Sequence, residues 1–229
     1  GRFNIVWSSA LVAAFWAMSP LLASRPFWIL AGLGVIHLGM VAMAFALPTE
    51  PAKHGEAHEP HPPVYERLLA LCRVLMFASY LVLSAAGPVL PIILDRLGAG
   101  SAAQPRLASA WLIARVGVFA LFERWHGWHG RWWAPWAGLG AMVAGFAMTV
   151  GAPALGSGGV GLGVFLVGLT LMGAGVAAVY CGALYYALAA GAAEVDAGGR
   201  HEAVIGMGYT GGPALGLAAL ALAGMGGTG

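Results

Sequence analysis

Charged residues are scarce in this chain of 229 residues. It has nine acidic residues and eleven Lys and Arg residues, so 9% of the chain is charged and 60% is hydrophobic. A soluble domain carries about 25% charged residues, because polar groups must cover its surface. The composition therefore excludes a soluble globular enzyme and a disordered chain, which needs high polarity. The two cysteines, Cys72 and Cys181, are too few for a secreted disulfide scaffold.

Other absences exclude particular functions. The single lysine, Lys53, lies in the most polar stretch of the chain, so no apolar segment offers the Schiff-base lysine that a retinal protein requires. The chain has no H-E-x-x-H motif and no G-x-x-x-x-G-K-[ST] motif, so it encodes neither that type of metalloprotease nor a P-loop ATPase. We expect no enzyme activity, no cofactor, no metal site and no nucleic-acid partner. The histidines and glutamates around Lys53 could loosely bind Zn²⁺ or Ni²⁺, but without a fixed scaffold or thiolates we interpret them as solvated linker residues.

What the chain has instead is a series of long apolar runs. A helix that crosses a bilayer needs about 20 mostly apolar residues, and its backbone groups must be satisfied within the helix. Seven spans are predicted, two of them separated by a turn at residues 151–159: residues 5–24, 26–48, 74–94, 107–122, two within 132–193, and 203–224. The sequence therefore predicts an all-α polytopic bundle of seven transmembrane helices, embedded in the lipid bilayer.

Basic residues in the loops predict the orientation. One side of the membrane receives seven of them: Arg2, Lys53, Arg67, Arg73, Arg124, Arg131 and Arg200. The other side receives Arg25, Arg96 and Arg106. Because cytoplasmic loops carry the excess of basic residues, we expect a cytoplasmic N-terminus, in a bacterial plasma (inner) membrane. The proline-rich stretch 49–67 is predicted to be a cytoplasmic linker between two helices in residues 1–48 and five helices in residues 68–229.

Arg115 is the one charged residue deep inside a predicted span. Such a group costs at least about 2.5–3.5 kcal/mol on insertion scales, so it usually faces a cavity or a partner. Arg115 could face an anion, or gate a water-filled pathway. It could equally form a structural ion pair with an acid on another helix, or snorkel toward the nearby loop. Both interpretations stay open at this stage.

Three uncharged polar residues are further candidates for a substrate pathway. Tyr80 and Tyr180 carry hydroxyl groups on apolar rings, which suits a substrate passage and also suits hydrogen bonding between helices. His37 lies in the middle of the second span, where it could titrate near neutral pH and couple transport to protons. A lone helix histidine that bonds a backbone or hydroxyl partner is the more common case.

The last span contains a pattern of small residues around a proline. Gly208, Gly212, Pro213 and Gly216 form G-x-x-x-G-P-x-x-G. Glycines four residues apart let helix backbones approach closely, and a proline inside a helix removes a backbone hydrogen bond and bends it. The first span has a related pattern with Ser19, Pro20 and Ala23 at the same spacing, but with Phe15 at its first position. Such internal repeats are typical of transporters.

With this Gly-Pro helix and its partial repeat, the chain resembles the major facilitator superfamily of secondary transporters. In that family the fifth helix of each six-helix half carries the small-residue, Gly-Pro pattern, and a long cytoplasmic linker joins the halves. The first two spans then resemble helices five and six, residues 49–67 the linker, and the remaining spans helices seven to eleven. The resemblance implies that four preceding helices and one following helix are missing, so that the chain is a fragment of a twelve-helix protein.

The loop after the fourth span extends the resemblance. Glu123, Arg124 and Arg131 resemble the acid, the arginine and a terminal basic residue of the family's charged loop G-x-x-x-D-R-x-G-R-R. This likeness implies a gating loop that pairs charges in the outward-open state. The alternative is a positive-inside anchor with interfacial tryptophans.

These features predict a secondary active transporter that moves a small solute by alternating access. Its partners would be the bilayer, a small-molecule substrate and, where transport is coupled, an ion. A membrane sensor or scaffold that derives from the same fold and does not transport is the alternative.

Overall fold

The computed structural model describes residues 2–46, 61–190 and 195–226, and within these ranges it is helical and contains no β-strand. The helices are α1 (Arg2–Ser24), α2 (Pro26–Ala44), α3 (Val64–Ala86), α4 (Leu90–Arg96), α5 (Gln104–Ala108), α6 (Ala110–Arg124), α7 (Trp133–Gly151), α8 (Gly159–Ala190) and α9 (Val195–Gly226), with a 3-10 turn at Ala152–Leu155. In the described part of the chain, seven helical segments are long and apolar enough to cross a membrane. The protein is an integral membrane protein with an all-α fold, as its composition predicted.

The third span differs from its predicted position. It covers Val64–Ala86 rather than residues 74–94, and residues 64–67 therefore belong to α3 instead of the linker. The charges of Glu66, Arg67 and Arg73 suggested a boundary, but these residues lie within the helix, and the first two are exposed. Residues 90–96 form the separate helix α4 after the break at Gly87 and Pro88. Residues 49–60 of the predicted linker lie outside the described ranges.

Successive spans run in opposite directions between two ends of the bundle. One end, here called the Trp128 end, holds the loop 125–132, where the Gly130 amide donates a hydrogen bond of 3.0 Å to the Tyr186 hydroxyl. The other, here called the Pro88 end, holds α4 and α5 and the turn between α7 and α8. There the Trp16 indole N–H donates to the Ser109 hydroxyl at 3.0 Å. Helices α1, α3, α7 and α9 run from the Trp128 end to the Pro88 end, and α2, α6 and α8 return.

Helix α8 forms the centre of the bundle and packs on α3, α6 and α7. Its contact with α7 depends on glycines, because a Cβ on Gly145 would lie 2.5 Å from the Gly168 carbonyl oxygen and 2.9 Å from the Met172 Cα. Small residues of this kind let backbones approach in a medium where apolar burial alone does not drive helices together. Helix α2 packs on α1 and has no buried residue.

Candidate functional site

Arg115 lies on α6 in the interior of the bundle, with 1% of its surface exposed. Aromatic rings from four helices surround its guanidinium group. The distances from Arg115 Cζ to the ring centroids are 5.0 Å for Trp7, 5.0 Å for Tyr180, 5.1 Å for Phe119 and 5.9 Å for Tyr80. Each ring face attracts the cation, and the attraction is stronger where water is excluded. The bundle thus holds one positive charge in an aromatic shell.

The same guanidinium has polar atoms without a partner. Nε and Nη1 of Arg115 are buried and make no hydrogen bond, and no carboxylate of the described residues lies within ion-pair distance of Arg115. Buried polar atoms in folded proteins are nearly always hydrogen-bonded, so each exception needs an explanation. Because Arg115 is buried and has no described carboxylate within ion-pair distance, it matches neither a snorkelling side chain nor an ion pair with a described acid.

Arg115 lines a cavity of about 320 Å³, here called the central cavity. Side chains from α1, α3, α6, α8 and α9 form its walls: Asn4, Trp7, Tyr80, Arg115, Tyr180 and Tyr209. The Tyr180 hydroxyl donates a hydrogen bond of 3.3 Å to Asn4 Oδ1, and the rings of Tyr80 and Tyr209 meet edge to face at 5.1 Å. Glu202 also lines this cavity and is exposed. Polar hydroxyl and amide groups therefore converge on the cavity that contains the unpaired cation.

Two further cavities adjoin the central one. The Trp128-end cavity, of about 270 Å³, is lined by Asn4, Glu123 and His129 among others, and it shares Asn4 with the central cavity. The Pro88-end cavity, of about 490 Å³, is mainly apolar and shares Tyr209 with the central cavity. The three cavities follow one another from one end of the bundle to the other, with Arg115 in the middle.

The glycines of the last span hold α9 against α3. A Cβ on Gly208 would lie 2.7 Å from the Tyr80 Cβ, and a Cβ on Gly212 or Gly216 would collide with Ser84 or with the Ala85 carbonyl. At these three glycines the backbone of α9 therefore lies against α3 too closely for a larger side chain. Pro213 and Pro20 both lie inside their helices, α9 and α1, where each leaves one backbone carbonyl without its usual donor.

The predicted gating loop lies at the Trp128 end. Glu123 lies in the last turn of α6 and lines the Trp128-end cavity, and its Oε1 lies 3.9 Å from Nε of Arg2. Arg124 and Arg131 are exposed beside it. The three residues share one end of the bundle, and their gating role stays a prediction.

An aromatic cluster lies behind this loop. The imidazole of His129 stacks on the ring of Tyr185, with 3.9 Å between centroids. Partial burial lowers the pKa of His129 below its ordinary value, and the nearby His126 lowers it further. At neutral pH His129 is therefore held in the uncharged form. Trp128 is buried against the same cluster.

His37 lies apart from the cavities. It is exposed on α2, and its Nδ1 lies 2.7 Å from the Leu33 carbonyl oxygen one turn earlier. His37 thus corresponds to the more common interpretation given for a lone helix histidine, in which the imidazole bonds a backbone group of its own helix. The structure thus brings Arg115, Tyr80 and Tyr180 together and does not bring His37 to them.

Several cavity residues escaped the sequence analysis. Asn4, Trp7 and Tyr209 line the central cavity, and so does Glu202, which precedes the predicted last span. Their positions in the sequence gave little reason to single them out. Asn4 and Trp7 lie at the start of an apolar run, and Tyr209 lies between glycines. His201 was also missed; it is buried against the Tyr180 ring at 5.0 Å, and its Nε2 has no partner in the described structure.

Comparisons of the chain with protein-family models, with curated proteins and with solved structures found no match. The function is therefore inferred from the cavities and the residues that line them.

Proposed function

We propose that this protein is a secondary transporter of a small solute that works by alternating access, in the manner of the major facilitator superfamily. The observation that carries the proposal is the succession of three cavities, in which neighbouring cavities share the wall residue Asn4 or Tyr209. In transporters the substrate site lies near the middle of the membrane, and access alternates between the two ends. The central cavity lies between the other two, which supports a substrate site there.

The packing of the helices supports this proposal. Alternating access needs rigid units that move against one another, and the glycine contacts of α3 with α9 and of α7 with α8 build such units. By contrast, the contacts of α1 with α6 and α5 include side-chain contacts of Trp7 with Arg115 on α6 and of Trp16 with Arg106 on α5. Contacts between side chains can rearrange at less cost than contacts between backbones.

The same proposal includes the location of the protein. Arg2, Arg124 and Arg131 lie at the Trp128 end, together with Arg67 and Arg200 near the starts of α3 and α9. Arg25, Arg96 and Arg106 lie at the Pro88 end. By the positive-inside rule the Trp128 end faces the cytoplasm, which fits a bacterial plasma membrane with the first described residue inside.

A counterflow assay tests transport directly. Proteoliposomes are loaded with an unlabelled solute, and uptake of the same labelled solute from outside is followed for benzoate, benzamide and benzylamine in turn. A carrier exchanges solute across the membrane, so we expect transient accumulation of the label for at least one of the three. A sensor or scaffold would give no accumulation with any of them, and that result would refute the proposal.

Cysteine labelling tests the alternation. In a background that carries Cys72→Ser and Cys181→Ser, Leu184→Cys reports on the Trp128-end cavity and Leu90→Cys on the Pro88-end cavity. The exchanged solute should raise maleimide labelling at one position and lower it at the other. Val167→Cys, on the outer surface of α8, is the matched control and should not respond. Parallel changes at both ends would contradict alternating access.

A further inference from the structure

The central cavity contains a positive charge, and two of the nitrogen atoms that carry it have no hydrogen-bond partner in the described structure. Arg115 is buried in the middle of its span, with Nε and Nη1 free of hydrogen bonds in the described structure. The aromatic rings around it offer π-electron density to the charge, but their ring carbons are not conventional acceptors for the N–H groups. A guanidinium group in this state costs free energy that an anionic partner would recover.

The unmet atoms indicate what that partner is. The unpartnered Nε and Nη1 lie on different edges of the planar guanidinium group, and each can donate a charge-assisted hydrogen bond to a carboxylate oxygen. No carboxylate of the described residues lies within ion-pair distance of Arg115. The Tyr180 hydroxyl and the Asn4 amide, which already bond each other at 3.3 Å, line the same cavity and could bind further polar atoms of a solute.

The other walls limit the size and charge of the solute. Trp7, Tyr80 and Tyr209 give the cavity apolar, aromatic surface, and its volume of about 320 Å³ lies at the lower end of the range for small-molecule sites. Glu202 brings a negative charge to the same cavity, seven residues before Tyr209 and therefore on the same face of α9. A second carboxylate on the solute would meet Glu202 and be repelled.

We infer that the central cavity binds a small organic monocarboxylate, with its carboxylate on Arg115 and its apolar body among Trp7, Tyr80 and Tyr209. That the monocarboxylate is a transport substrate rests on the proposed function, but its binding to the cavity does not require transport. The inference names the substrate class of the central cavity.

Calorimetric titration of the protein in phosphatidylcholine nanodiscs tests binding at neutral pH. Benzoate, benzamide and benzylamine share a ring and differ in charge, while phthalate adds a second carboxylate and inorganic phosphate lacks the apolar body. Since hydrogen bonds to a charged group are stronger than those between neutral groups, we expect benzoate to bind at least about tenfold more tightly than benzamide. Phthalate and phosphate should bind more weakly than benzoate. Equal affinity for benzoate and benzamide would overturn the inference.

Substitutions locate the site. Arg115→Gln should lower benzoate affinity at least about tenfold. Arg115→Lys keeps the positive charge but loses the planar guanidinium group with its several N–H donors, so it should have an intermediate effect. Arg106→Gln is the matched control, because Arg106 also lies over a tryptophan ring, at 5.8 Å from Trp16, but is exposed and lines none of the three cavities. Unchanged benzoate binding by a monodisperse Arg115→Gln protein would refute the assignment. If that variant does not fold, the ligand series and Arg115→Lys still decide.

Binding and counterflow together separate this inference from the proposed function. Benzoate binding without counterflow would leave the monocarboxylate site standing and refute transport of that solute class. Counterflow of benzamide or benzylamine without benzoate binding would leave transport standing and overturn the monocarboxylate inference.

Discussion

The contact between α3 and α9 makes a quantitative prediction at Gly212. Replacing this glycine with alanine adds one Cβ, which would lie 2.7 Å from the Leu81 carbonyl oxygen and 2.8 Å from the Ala85 nitrogen, and closer still to the Ser84 Cβ. Nonbonded carbon atoms prefer separations of about 3.5–4.0 Å, so α9 and α3 must part by roughly 1 Å. The obstacle is mostly backbone, which cannot rotate away.

The magnitude follows from comparison with a second glycine of α9. A Cβ on Gly206 would meet nothing within 4 Å. Gly206→Ala gains the same helix propensity, about 1 kcal/mol at most, so the difference between the two variants isolates the packing. Overpacking costs about 1–3 kcal/mol, so Gly212→Ala should raise the unfolding equilibrium constant about 5- to 150-fold relative to Gly206→Ala.

Unfolding in mixed micelles by titration with sodium dodecyl sulfate, followed by circular dichroism, measures this difference. Gly212→Ala should unfold at a lower detergent fraction than the wild-type protein, and Gly206→Ala at the same fraction or a higher one. Because Tyr80 and Tyr209 meet across the same contact, Gly212→Ala should also weaken benzoate binding. If the two alanine variants have equal stability, α9 does not pack on α3 through Gly212.

Two further predictions concern the Trp128 end and the interior. Cys181 lines the Trp128-end cavity and Cys72 is fully buried, so N-ethylmaleimide should modify Cys181 and leave Cys72 intact, as shown by the mass of tryptic peptides. Preferential labelling of Cys72 would contradict the packing. The lowered pKa of His129 means that folding favours the neutral imidazole. The stability that depends on this neutral form is complete above a pH of about 6.5, the ordinary pKa of histidine. It is lost as the pH falls from there through the lower pKa of the folded state. The detergent fraction at the unfolding midpoint should therefore fall on acidification. His129→Phe keeps an aromatic ring against Tyr185 and should make that fall smaller. If the variant has the same pH profile as the wild-type protein, groups other than His129 cause the fall.

The apolar runs predicted the spans because hydropathy is a local property. The turn at residues 151–159 is confirmed by the 3-10 segment Ala152–Leu155, and all seven spans are found. The third was displaced because charged residues were taken as its limit. Charges at the end of a helix do not stop it when their head groups lie outside the apolar layer, and Glu66 and Arg67 are exposed at the first turns of α3.

The candidate site was predictable only in part. Arg115 was conspicuous because a charge in an apolar run is costly wherever the helix packs. Asn4 and Glu202 carried no such signal, since a polar residue near the end of a span is ordinary. Their place in the cavity depends on how α1 and α9 meet α6, which no local pattern encodes. His37 shows the converse, because its central position in a span did not bring it near a cavity.

By itself, the sequence determined that the described part of the chain has seven helices long and apolar enough to cross a membrane, because hydropathy and length are properties of consecutive residues. It also determined that Arg115 lies deep inside one of these apolar spans. Only the tertiary structure decided that Arg115 lies in an aromatic shell, without a carboxylate in the described part of the chain, on a cavity between two others. That arrangement depends on contacts between helices distant in sequence, where single glycines set how closely two backbones approach and so which side chains meet.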